Sequence, residues 1–182
     1  PLHIWIDSNV RRPKNCIYRD EHHAGRLAAL KMLERGHQDV LLIGHKPWPG
    51  CHLSVTERMH GCEEAFRSRG LKAETFLLGL EADELRARTD ELLTFLRPGR
   101  AVIAMGHLMA EWCAHAAARR GLCAGRDFAI ASCAEELECN LSWPWLSRVS
   151  FDREALGRQA AEMMVTLLNG RSRVPSAIVK GE

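Results

Sequence analysis

The sequence predicts an α/β fold, a parallel sheet flanked by helices, on three observations. Short, wholly apolar runs alternate with segments of helical period, the links between them are short, and most helical segments stop at a glycine or before a proline. The strand candidates are "LHIWI" (2–6), "VLLI" (40–43), "TFLL" (75–78), "AVIAM" (101–105) and "FAIAS" (128–132). None alternates polar with apolar residues, so both faces of each strand would be buried, as in a parallel sheet covered on both sides.

The helices follow in order. Residues 22–36 place Ala24, Leu27, Ala28 and Leu30 near one face and stop at Gly36. Residues 56–69 line up Met59, Cys62, Ala65 and Phe66 before Gly70, and residues 83–96 use Leu85, Leu92, Leu93 and Leu96 before Pro98. Residues 107–120 carry Leu108, Cys113 and Ala116 and end at Gly121. After residue 132 the rhythm breaks into "CAEELECNLSWPWLSRVSFD", with Pro144 between Trp143 and Trp145. A long amphipathic helix, 153–168, then shows Leu156, Ala160, Met163, Met164 and Leu167 on one stripe, with Asp152 as N-cap and Gly170 as terminator. The run "SAIV" (176–179) closes the chain as a strand.

Composition bounds the function. With 182 residues, 46% hydrophobic and 26% charged, the chain suits one domain or two small lobes. A net charge of +2 is too balanced for a nucleic-acid-binding face of its own. No run approaches the roughly 18 apolar residues of a membrane span. The seven cysteines are scattered, odd in number and without CxxC, which opposes a disulfide framework or zinc site and points to a reducing, cytoplasmic setting. No GxSxG elbow, HExxH, phosphate loop or GxGxxG fingerprint occurs. The expectation is therefore a binder rather than an enzyme, with no catalytic residue, cofactor or metal assigned.

Ligands of open α/β sheets bind at the carboxyl ends of the strands. Asp7 ends "HIWID", Trp48 sits in the loop "GHKPWPG", and Gly106-His107 joins the strand 101–105 to its helix. Arg58, in "SVTERMHG", offers a rigid fork of donors near a helix start, with Ser54 four residues earlier. Each has a plainer reading: a turn-capping aspartate, a packed tryptophan, a satisfied histidine, a capping serine, and an exposed arginine paired with Glu57 or Glu63. The expectation for Arg58→Ala is loss of ligand binding with stability changed by no more than about 1 kcal/mol, as at an exposed site.

Four phrases occur in order: "HHAGRLAALKMLERGHQDVLLIG", "TERMHGCEEAFRSRGL", "VIAMGHLMAEWCAHAAARRGL" and "LSRVSFDREALGRQAAEMMVTLLNG". Together they closely resemble the effector-binding core of the lactose-repressor/galactose-repressor (LacI/GalR) family, over nearly the whole chain. The resemblance implies a type I periplasmic-binding-protein-like fold that clamps a small effector, a sugar or related metabolite, between two lobes. It implies residues 1–18 as a remnant of the first lobe and 19–150 as the second lobe. Residues 151–172 would hold the return helix to the first lobe, and 173–182 a strand back in the second. Family members are homodimeric regulators that read operator DNA through a headpiece, which would lie outside these residues. A periplasmic sugar carrier shares the fold and is the alternative; a signal peptide upstream would favour it.

The same resemblance carries roles onto matching positions. Arg58 matches the family's effector-contacting arginine, and Ser54 and Asp7 match polar contacts of its cleft. Trp48, Phe151, Trp143 and Trp145 are aromatic candidates for stacking on an effector ring. Two positions depart from the pattern. Gly106-His107 stands where the family usually has Asn-Asp, exchanging acceptors for a switchable donor/acceptor. Ala134 stands where an aspartate commonly grips sugar hydroxyls, leaving Glu135 or Glu136 as the neighbouring carboxylates.

Overall fold

The protein is described by a computed structural model covering residues 2–47, 52–79, 81–133 and 146–182. Its larger sheet is wholly parallel: β3 (Val40–His45), β4 (Glu74–Leu78), β5 (Ala101–Ala104), β6 (Ala129–Ser132) and β7 (Ser147–Arg148), in the order β4-β3-β5-β6-β7. The apolar runs behave as their lack of alternation requires. Val40, Leu42, Ala101 and Ile103 face one helical layer, α1 (Glu21–Glu34) and α2 (Ser54–Arg67). Leu41, Ile43, Val102 and Ala104 face the other, α3 (Ala82–Phe95) and α4 (His107–Ala118). All eight of these strand residues are fully or almost fully buried.

Local chemistry sets the helix ends. Asp20 caps α1, its Oδ1 accepting from the N–H of His23 at 3.0 Å. Gly36 then adopts φ +86, the left-handed turn that ends a helix and that glycine reaches without a Cβ clash. In the C-terminal helix, α5 (Arg153–Leu168), the predicted cap holds: Asp152 Oδ1 accepts from Ala155 at 2.7 Å. Each such cap contributes about 1 kcal/mol.

The smaller sheet is also parallel, with order β1-β2-β8: β1 (Trp5–Ile6), β2 (Cys16–Arg19) and β8 (Ala177–Val179). Helix α5 covers one side, packing Ala160 and Met163 on Ile17 and Val179. Three sequence expectations change here. The run 2–6 shortens to a two-residue edge strand with both residues exposed, and the central strand is the unforeseen β2. The terminal strand does not rejoin the larger sheet; its backbone pairs with β2, Ile17 opposite Ala177 and Arg19 opposite Val179. Only the last residues turn back, where Ser150 and Glu182 exchange N–H···O bonds at 2.8 and 2.9 Å beside the Phe151–Gly181 bridge.

Helices α1 and α2 approach so closely that only glycine fits at two contacts. A Cβ on Gly25 would lie 1.9 Å from the carbonyl oxygen of Arg58, and one on Gly61 would lie 2.0 Å from that of His22. The obstacles are backbone atoms, which cannot swing aside. Cys62 fastens the same crossing, donating its S–H to the Gly25 carbonyl at 3.1 Å. Gly61→Ala should therefore destabilise by about 3 kcal/mol, the upper range for forcing atoms into a packed interior. That cost should exceed any gain from alanine's better helix propensity. Urea unfolding checks this, and wild-type stability in Gly61→Ala would show that the two helices separate freely.

Candidate functional site

The carboxyl ends of the parallel strands bring together residues far apart in sequence. Asp7 follows β1 directly, with φ +53, a left-handed backbone uncommon for a non-glycine residue. Its Oδ2 accepts from Arg19 Nε at 2.9 Å and Nη2 at 2.5 Å, whereas its buried Oδ1 has no hydrogen-bond partner among the described residues. His52 binds the same turn. Its Nδ1 accepts from the backbone N–H of Ser54 at 3.1 Å, so Nε2 carries the proton and donates to the Asp7 carbonyl at 2.9 Å. Arg11 and Glu57 form a second ion pair beside it at 2.5 Å.

Arg58 is at the centre. It is 6% exposed, and its partners are neither Glu57 nor Glu63. Nε donates to Glu21 Oε2 at 2.7 Å, and Nη1 donates to the backbone carbonyl of Met105. Glu21, 3% exposed, also pairs with Arg19 Nη2 across 3.1 Å, and its Oε1 has no hydrogen bond among the described residues. The series Asp7–Arg19–Glu21–Arg58–Met105 thus runs from the smaller sheet to the carboxyl end of β5 in the larger one. Sequence reading missed Glu21, Arg19 and His52. A glutamate in the first turn of a helix reads as a partner of the helix dipole, and nothing in its spacing announces burial.

Two spaces adjoin this series. A crevice of about 10 Å³ lies among Asp7, Arg19, Glu21, His52, Ser54 and Glu57, room for about one water. A cavity of about 230 Å³ opens beside it, walled by His45, Ser54, Val55, Arg58 and the segment Met105–Met109. Ser54 lines both. His107 is 4% exposed; its Nε2 lies 3.1 Å from Glu111 Oε1, and its Nδ1 has no partner among the described residues. Burial lowers the pKa of His45, and the charge of Arg58 lowers it further. Larger hollows lie elsewhere, such as one of about 290 Å³ between α1 and β6–β7, but none of the sequence-derived site residues lines it.

Asp7, Ser54, Arg58 and His107 therefore gather on one edge. Phe151 is nearby but does not line either space. It is buried, with the Arg19 guanidinium 5.4 Å above its ring, so it backs the arginine instead of presenting a face to a ligand. Trp48, Ala134, Glu135, Glu136, Trp143 and Trp145 lie outside the described residues. Among the described residues no cluster could hold a metal ion, and no helix is long and apolar enough to cross a membrane.

The family described as periplasmic-binding-protein-like domain matches residues 29–181. The chain belongs to that family. Among solved structures, the periplasmic-binding-protein-like chain is similar to a regulatory protein of the LacI family from Chloroflexus aggregans, at 27% identity and TM-score 0.75, covering 92% of this chain and 60% of that one. The Escherichia coli transcriptional repressor ascG superimposes with TM-score 0.78 at 16% identity, over 98% and 66% of the two chains. A LacI family transcriptional regulator from Enterococcus faecium, solved with bound ribose, gives TM-score 0.73 at 18% identity, over 92% and 63%. The chain thus spans less than two thirds of each of these relatives and carries the fold of their effector-binding domains. Among curated proteins no sequence matches it.

Within this periplasmic-binding-protein-like domain, the burial of Arg58 overturns the expectation of an almost costless Arg58→Ala. Removing one member of a buried ion pair strands the other charge, at about 3–5 kcal/mol. Arg58→Ala and Glu21→Ala should each lower the unfolding free energy by that amount. The double variant should cost clearly less than the sum, because no lone charge remains. A double-mutant cycle by urea unfolding checks this, and additive losses would mean that the pair is not coupled.

Proposed function

We propose that this chain is the effector-sensing part of a LacI-type transcriptional regulator. A small metabolite would bind where the carboxyl ends of the two parallel sheets meet. Its preference for one arrangement of the lobes would shift their equilibrium and, through a DNA-binding headpiece, operator affinity. In this reading the protein is a cytoplasmic homodimer in its full-length form, with residues 1–18 and the return helix belonging to the first lobe. The observation that carries the reading is the convergence of Asp7, Ser54, Arg58 and His107 on one strand edge beside an open cavity. Residues separated by a hundred positions come to the same edge, and two of them, Asp7 and His107, hold buried polar atoms without partners among the described residues. Buried polar groups are otherwise almost always satisfied, so these atoms suit a ligand's polar groups or a bridging water.

Ser54 lines both spaces, so it should touch whatever binds. Calorimetric titration with a panel of sugars, sugar acids, sugar phosphates and nucleosides should find one member that binds saturably without forming product. Ser54→Ala should weaken it about tenfold, the worth of one buried hydrogen bond. In the full-length protein the same metabolite should change operator affinity. Turnover of a panel member would overturn the sensing role, as would full affinity in Ser54→Ala for the location.

A further inference from the structure

Among the described residues, the cavity walled by α2 and α4 is lined by basic and neutral side chains. They are His45, Ser54, Val55, Arg58, Met105, Gly106, His107, Leu108 and Met109, none of them an aspartate or glutamate. The N-termini of both helices open onto it. An α-helix leaves its first N–H groups unpaired and carries partial positive charge at that end. The terminus of α4 is not closed by a side chain, whereas in α2 the first N–H, that of Ser54, is taken by His52 Nδ1. The N-cap residues are Leu53 and Gly106, neither makes a capping bond, and the first turn of α4 contains no acid. The glutamate in the first turn of α2, Glu57, is paired with Arg11 on the crevice side.

The second observation is His107. The ring is 4% exposed and lines the cavity; its Nε2 is taken by Glu111, and its Nδ1 has no partner among the described residues. Nδ1 is therefore the ring nitrogen left to meet a ligand, and it donates to an anionic group when both ring nitrogens carry protons. Arg58 adds a buried guanidinium with more donors than Glu21 and Met105 use. Gly106 completes the arrangement: it is extended, at φ −164, and a Cβ there would meet nothing within 4 Å. The backbone of the α4 terminus is therefore open to a ligand.

We propose that this cavity binds an anionic group, phosphoryl or carboxylate, so that the effector is an acidic metabolite rather than a neutral sugar. The inference rests on the sensing reading and specifies its ligand class. The anion accepts from the N–H groups opening α4, from His107 Nδ1 and from Arg58, while the Ser54 hydroxyl and the α2 terminus close the other side. Among the described lining residues donors dominate, and a polyol, which needs acceptors as well, finds no carboxylate or side-chain amide among them. The positive potential reaches the far wall too, where Arg58 depresses the pKa of His45 in addition to the effect of burial.

The test uses the 182-residue chain with four probes at constant ionic strength: inorganic phosphate, acetate, chloride and D-ribose. The readout is the set of ring C–H resonances of His107, assigned by their loss in His107→Gln. Phosphate or acetate should move them saturably, the more effective one revealing the group preferred, while chloride and ribose should not. Gly106→Asp should fold normally, since the space is open and aspartate is a favoured N-cap. Its carboxylate would occupy the terminus and weaken the anion at least tenfold. Movement with ribose alone would overturn the anionic class and leave the sensing reading standing. Undiminished phosphate binding in Gly106→Asp would place an adventitious ion elsewhere and overturn it equally. No response to any probe would remove the anion site, and the metabolite titration would then decide the sensing role by itself.

Discussion

The buried pair between Glu21 and Arg58 is the interaction on which the rest of the site depends. Both side chains are more than nine-tenths hidden, so each ion has lost its hydration and must recover the loss from its neighbour. That demands short, fixed geometry, and the α1–α2 crossing supplies it. Gly25 and Gly61 let the two backbones touch, which brings the start of α1 within 2.7 Å of a guanidinium carried one turn into α2. A looser crossing would leave two stranded charges. The glycines and the ion pair are therefore one device, in which packing creates the distance that electrostatics requires.

The pair also ties the molecule's two sheets together. Glu21 faces Arg19 at the end of β2, and Arg19 holds Asp7 after β1; on the other side Arg58 holds the Met105 carbonyl at the end of β5. The His52–Asp7 and Arg11–Glu57 contacts run parallel to this series. Polar contacts of this kind can be exchanged for water or ligand, unlike the apolar layers beneath the larger sheet. The strand edge is thus the part of the fold whose contacts a ligand can enter, while its buried Glu21–Arg58 pair stays costly to break. It is also where Asp7 keeps a left-handed backbone and an unpartnered oxygen.

Much of the larger sheet was legible in the sequence because burial on both faces leaves unbroken apolar runs, and glycines mark the helix ends. The smaller sheet was not. Its central strand, "CIYR", is four residues long and ends in a charged residue, too short for a period to show. The return of β8 to β2 is a long-range pairing that no local pattern specifies. At the site, the positions of Asp7, Ser54, Arg58 and His107 could be read from strand and helix ends, yet their partners could not. Arg58 looked exposed because Glu57 and Glu63 stand close to it in sequence, whereas the carboxylate that captures it lies 37 residues away. Sequence proximity ranks candidate partners correctly only where a helix surface faces water.

The two unpartnered groups at the edge differ in chemistry, and the difference bears on what can bind. Asp7 Oδ1 is an acceptor beside a crevice with room for about one water, so water can satisfy it without selecting any metabolite. His107 Nδ1 lines the space large enough for a ligand group, together with a guanidinium, the open terminus of α4 and, among the described residues, no acid. Discrimination is therefore exerted on the donor side. A neutral hydroxyl placed there would satisfy one donor and leave its own proton facing others, whereas an anionic oxygen accepts from several at once. Gly106 and His107 act in that direction twice: neither brings a carboxylate or side-chain amide to the cavity, and Gly106 leaves the backbone donors of α4 uncovered.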